Sequence, residues 1–413
     1  MMMVNEGLLK KYASLAVRTG INIEKGQLLV IRASVRDHAF VELCVREAYE
    51  AGAGQVRLQW NDENISHMGY EYETTESLSY VPDWVVERTR FEQEKGAAYL
   101  TIDSSTPGLM SDIDQEKLAA VRLENMKRMK PFQAYTMNNV GQWSIIAFPS
   151  EKWARKVFPG KAGDEAVDAL WNAILTAVRI REDNDPVAEW KKHDDELMRH
   201  CKLLNELNFD RLHFESELGT DLYVGLVKEH IWSGGGNYSR SGTFFNANIP
   251  TEEVFCMPDR NRVDGKVFAS KPLSYGGKVI EDFWFSFRDG VVIDYGAKKE
   301  KEALTKLLET DEGSRHLGEV ALISYDSPIS NLNLLFFNTL FDENASCHLA
   351  LGRCYPENIK GGEEMSEEEL MRHGGNQSMN HVDFMFGTKE MRVTGIQNDG
   401  TEVEIFRNGN FVI

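Results

Sequence analysis

Apolar residues recur along this chain with two different periods, and the change of period divides it. Over 6–19, Leu8, Leu9, Tyr12, Leu15, Ala16 and Val17 fall at helical spacing. The segment 27–31, apolar from Leu28 on, predicts a strand, 36–51 a second helix closed by Gly52-Ala53-Gly54, and 55–60 a second strand. A β-α-β unit of this size implies parallel strands joined by a right-handed crossover. Further strands are predicted at 97–102, 132–136 and 143–147, with a helix over 115–129 and the polar loop 103–108. The glycine-rich turn follows a helix, so it reads as a helix stop and not as a phosphate cradle.

Helical spacing returns over 164–178 and 186–207, with Pro186 suited to a first helical turn after the polar stretch 181–185. Beyond it the period shortens. Segments 211–214, 221–226, 279–287, 291–295 and 402–406 alternate or are rich in β-branched residues, with hairpin turns expected at 288–290 and 408–410. One helix is expected over 299–309, and another after Ser366. The pattern predicts two domains: an N-terminal α/β domain with parallel strands at 1–185, and a β-rich α+β domain at 186–413.

Composition narrows the function. A net charge of −19 argues against nucleic acid as a partner, because phosphate neutralisation needs clustered Lys and Arg. The five cysteines are odd in number and form no CxxC pair, which fits free thiols in a reducing, cytoplasmic setting. No basic region followed by a long apolar core opens the chain, and no apolar run nears ~20 residues, so neither a signal peptide nor a membrane span is expected.

Candidate chemistry gathers in the second half. In His381-Val382-Asp383 the two polar side chains share one face if the segment is a strand, and Phe384-Met385-Phe386 predicts burial. A buried imidazole and carboxylate suit a borderline divalent ion, although a His–Asp hydrogen bond without any ion accounts for the same residues. The stretch 342–355 holds Asp342, Glu343, His348 and Tyr355 behind the apolar run 334–337. Tyr355 is seven residues after His348, so the two would share a face if the segment were helical. Glu319 enters an apolar strand, where it could ligate an ion or be an ordinary edge charge. Glu252 and Glu253 lie in a loop able to approach from a second element. HExxH, GxSxG and Walker signatures are absent from the sequence.

Four separated blocks, 248–255, 318–322, 340–352 and 381–385, resemble the thermophilic-type metalloaminopeptidases. The resemblance runs over essentially the whole chain. It implies metal ligands at Glu253, Glu319, His348, His381 and Asp383, with Glu343 a further ligand or acid/base group. It also implies a catalytic tyrosine at Tyr355. The mechanism expected is hydrolysis at two divalent ions per chain (zinc, cobalt, manganese or magnesium), with Glu319 bridging them and Glu253 or Glu343 as the general base. The fold implied is an N-terminal α/β domain with a C-terminal catalytic domain, assembled as a homodimer. The substrates implied are peptides with a free N-terminus. A metal-dependent amidohydrolase of small amides, or a metal-binding protein without turnover, would use the same ligands.

Overall fold

The computed structural model describes residues 5–413. The chain forms two compact units: residues 5–192 with 236–250, and residues 193–235 with 251–413.

The first unit is built on a five-stranded parallel sheet. Its order is Asn248–Ile249, Trp143–Ala147, Ala98–Asp103, Leu28–Ser34 and Gln55–Asn61. The central strand Leu28–Ser34 is buried at all positions but one, as a parallel strand covered on both faces must be. Aromatic packing joins the covering helices to one another and to the end of a strand: Tyr12 stacks on Phe40 at 5.4 Å, and Trp171 meets Phe148, just past Trp143–Ala147, edge-on at 4.9 Å.

One expected strand is a helix. Residues 132–136 continue the helix Gln115–Met137, with Pro131 inside it. Proline costs a helix one hydrogen bond and reads as a stop. Here Tyr135 anchors the segment beyond it, donating from its hydroxyl to Ala97 O at 2.9 Å and packing edge-on against Tyr99 at 6.0 Å. Tertiary anchoring outweighs the lost bond.

The second unit contains two antiparallel sheets around one core. The larger has nine strands, including the long hairpin Lys278–Arg288 with Val291–Lys299. The smaller runs in the order His381–Met385, His348–Gly352, Leu317–Leu322, Val254–Cys256, Ser233–Gly234. Val254, Cys256, Val320, Leu322, Leu349, Leu351 and Phe384 belong to the core that the two sheets share. The expected helix after Ser366 is Glu367–Arg372, opened by a capping box with Glu369. No helix among the described residues is long and apolar enough to cross a membrane.

Candidate metal centre

The smaller sheet has a core face and a chemical face, and strand alternation makes both. Register pairs Ala321 with His348 and His348 with Met385; it also pairs Glu319 with Ala350 and Ala350 with Asp383, and Gly352 with His381. Paired residues and their i±2 neighbours point the same way. Glu319, His348, His381 and Asp383 therefore emerge together, over a floor whose small residues Ala321, Ala350 and Gly352 leave room above it. Glu253 joins from the loop that enters the strand Val254–Cys256, as its place two residues before Phe255 dictates.

The contacts divide into two groups with one common member. Glu253, Glu319 and His348 form the first; Glu319, His381 and Asp383 form the second. His348 Nε2 lies 3.2 Å from Glu253 Oε2 and 3.7 Å from Glu319 Oε1. His381 Nε2 lies 3.1 Å from Glu319 Oε2 and 3.4 Å from Asp383 Oδ1. Glu319 thus turns one oxygen to each imidazole.

Both imidazoles are oriented from behind. His381 Nδ1 donates to Arg353 O at 2.7 Å, and His348 Nδ1 faces Ser346 O at 3.4 Å. This leaves each Nε2 aimed into the cluster, the arrangement by which proteins present histidine to a metal.

The remaining predicted residues surround this cluster. Glu343 stands in the turn Glu343–Ala345, outside the two ligand groups but within the electrostatic reach of Asp383, Glu253, His348 and Glu319. Asn344 beside it is fully buried, and its Oδ1 accepts the Glu252 N–H at 2.7 Å. Tyr355 does not share a helix with His348, because His348–Gly352 is a strand. It reaches the site instead from the loop that follows, its ring 4.7 Å from that of His381. Asp342 faces elsewhere, accepting the Phe336 and Asn338 N–H groups at 2.7 and 3.0 Å.

The electrostatics describe a site with too much negative charge. Burial opposes protonation of His348, yet Glu253 and Glu319 hold its pKa well above the ordinary imidazole range. His381 behaves likewise, burial being outweighed by Asp383 and Glu319. Burial also works against ionisation of Glu319, but the two imidazoles hold its pKa down at about 2. Burial, reinforced by Asp383, Glu253 and Glu319, pushes Glu343 well above the carboxylate range. Tyr355 keeps 41% of its surface exposed, so it is the desolvated setting of its hydroxyl, with the four carboxylates, that lifts the phenol.

These residues fit divalent cations. The buried Asp383 Oδ1 has no hydrogen-bond partner, although it faces two imidazoles. Carboxylate oxygens with imidazole nitrogens are the donor set of zinc, cobalt and manganese. A third grouping, His67, Glu71 and Asp112, lies in the first unit, where His67 pairs directly with Asp112 at 2.9 Å.

Sequence reasoning missed Glu357. It lies in the turn Pro356–Asn358, and burial with Glu363, Glu319 and Glu253 pushes its carboxyl up to about 7. Its only sequence signal is its place two residues after Tyr355, which an ordinary surface glutamate would share.

Comparison with known proteins agrees with this geometry. The sequence profile of the thermophilic metalloprotease (M29) family matches residues 5–411. Over 403 residues the chain is 45% identical to aminopeptidase AmpS of Bacillus subtilis, covering 98% of each chain. It is 43% identical to aminopeptidase 2 of Geobacillus stearothermophilus over 403 residues, 98% of this chain and 97% of that one. The solved structure of wild-type AmpT from Thermus thermophilus superposes with a TM-score of 0.92 at 39% identity, covering 99% of this chain and 100% of that chain. Fold and donor set are those of a metal-dependent peptide hydrolase. The chain belongs to the thermophilic metalloprotease (M29) family.

Proposed function

We propose that this protein is an aminopeptidase that releases the first residue of peptides at a centre of two divalent cations. The observation that carries this reading is the sharing of Glu319 between two ligand groups. Glu253, Glu319 and His348 would hold one cation; Glu319, His381 and Asp383 would hold the other. When bound, such ions supply Lewis-acid polarisation of a carbonyl and activation of water.

The chain's own groups supply the rest. Glu343 lies outside the ligand groups yet within electrostatic reach of them, which places a carboxylate free of ligand duty beside the attacking water. It takes the proton of the attacking water and delivers it to the leaving amine. Glu253, named with it as a base from sequence, is engaged with His348 at 3.2 Å, which favours a ligand role. The Tyr355 hydroxyl keeps its proton at neutral pH and donates to the oxyanion of the tetrahedral intermediate.

The reading includes peptide substrates with a free N-terminus, zinc, cobalt, manganese or magnesium as cation, and a homodimer in the cytoplasm. The five cysteines, all free and buried, support a reducing compartment. The test is hydrolysis of leucine para-nitroanilide and its N-acetylated form, with and without chelator. Turnover of the free amine alone, abolished by chelator, is expected. Equal turnover of both would favour an amidohydrolase, and none would favour a binding protein.

A further inference from the structure

We propose that Glu357 receives the α-ammonium of the substrate and so sets the requirement for a free N-terminus, an assignment that rests on the aminopeptidase reading above. Glu357 lies in the turn Pro356–Asn358, directly after Tyr355. That turn is pinned to the strand carrying Phe255. Asn358 Nδ2 donates to Phe255 O at 3.3 Å and to Ile231 O at 3.1 Å, and the Ile231 N–H donates to Asn358 O at 2.8 Å. The Tyr355 ring meets Phe255 at 5.8 Å and His381 at 4.7 Å. The turn that carries Glu357 is therefore held on the flank of the ligand cluster, and the residue itself is partly buried there.

Nothing among the described residues neutralises it. Among the described residues no hydrogen bond or ion pair joins its carboxylate to another side chain. Its electrostatic neighbours are Glu363 in the turn Gly362–Glu364, Glu319 in its strand and Glu253 in its loop, all of the same sign. A partly buried carboxylate among like charges is costly unless a cation joins it.

The charge balance says which cation. Glu253, Glu319, Glu343 and Asp383 together match two divalent ions when both imidazoles are neutral. Glu357 is a further carboxylate beyond that balance, and it belongs to neither ligand group. An aminopeptidase substrate brings one positive charge, at its N-terminus. One unpaired carboxylate beside the catalytic tyrosine complements one ammonium, whereas a third metal ion would need more ligands than Glu357 supplies.

The experiment uses the metal-loaded protein and two amides that compete with leucine para-nitroanilide in initial-rate assays: leucinamide, itself an alternative substrate, and its des-amino analogue isocaproamide. The parent protein binds leucinamide far more tightly. In Glu357→Gln this preference falls roughly 30-fold, the scale on which one partner of a desolvated charge pair is lost. Isocaproamide binding and metal content, read by elemental analysis, stay at the parental level. Glu357→Asp keeps the charge and restores most of the preference. Parental preference in Glu357→Gln, as would follow if the amine were held by the cations alone, overturns the proposal. So does equal loss of both amides in both variants, which would make Glu357 a shaping residue only. Failure of the aminopeptidase reading is separate and would show as no hydrolysis of leucine para-nitroanilide by the parent protein.

Discussion

Glu319 Oε2 lies 3.1 Å from His381 Nε2, while its other oxygen turns toward His348, 3.7 Å away. A carboxylate placed between two imidazoles, each with its own further carboxylate, makes Glu319 the hinge of the site. Glu319→Ala should therefore release both cations and not one. Elemental analysis should find the variant metal-free, with activity lowered at least about a hundredfold, as expected when Lewis-acid catalysis worth several kcal/mol is lost. An active, metal-replete variant would remove Glu319 from this role.

Tyr355→Phe removes only a hydroxyl. The ring contacts with Phe255 and His381 can persist. The expected outcome is a fall in kcat of roughly a hundredfold to a thousandfold, the size seen for loss of one oxyanion donor. Metal content should not change. Unaltered kcat would exclude the hydroxyl from the reaction.

The imidazole pKa values give a prediction for metal binding. Carboxylates hold both His348 and His381 well above the ordinary imidazole value, so the metal-free protein carries both rings protonated at neutral pH. A cation must displace those protons. Zinc titration by calorimetry, repeated in buffers of different ionisation enthalpy, should report proton release, and affinity should rise with pH. Binding without proton release would contradict this electrostatic picture.

Glu357 provides a stability prediction of the opposite sign. Its folded pKa of about 7 exceeds the ordinary glutamate value of 4.5. Between those values the folded state binds more protons than the unfolded one, so stability falls as pH rises through that window. The ionised group then destabilises the metal-free protein by on the order of 3 kcal/mol at most. Glu357→Gln should melt higher than the parent at about pH 8 and equally at about pH 4, each at a pH where the shift is fully expressed or absent. Thermal unfolding in chelator checks this.

Asn344 links the two carboxylate loops. Its Oδ1 accepts the Glu252 N–H at 2.7 Å, and its Nδ2 lies 3.2 Å from Leu340 O and 3.5 Å from Glu343 Oε1. Asn344→Ala should cost about 1–3 kcal/mol through the lost buried acceptor. It should also weaken metal affinity by loosening Glu253. Parental metal affinity in a destabilised variant would confine Asn344 to folding.

Much of this was legible in the sequence, and the exceptions have physical causes. Four of the five parallel strands of the first unit read clearly because their apolar runs are interrupted by helical spacing; the two-residue strand Asn248–Ile249 lay in a segment that reads as loop. The segment after Pro131 misled because local propensity cannot register the anchoring of Tyr135 to Ala97. His381 and Asp383 were legible as one face because strand alternation is local. Their meeting with Glu253, Glu319 and His348 depends on cross-strand register, which no local pattern encodes. The helical spacing of His348 and Tyr355 was a coincidence of number: the strand ends at Gly352 and a loop carries the tyrosine in. Glu357 left no signal beyond its nearness to Tyr355, since only the turn that Asn358 pins to Phe255 sets it beside the site.

The central claim is that Glu319 is shared between two cations. Anomalous diffraction from zinc-soaked crystals tests it most directly. The account predicts two zinc peaks per chain, one bounded by Glu253 and His348 and the other by His381 and Asp383, with Glu319 touching both. A single peak, or peaks away from Glu319, would contradict it.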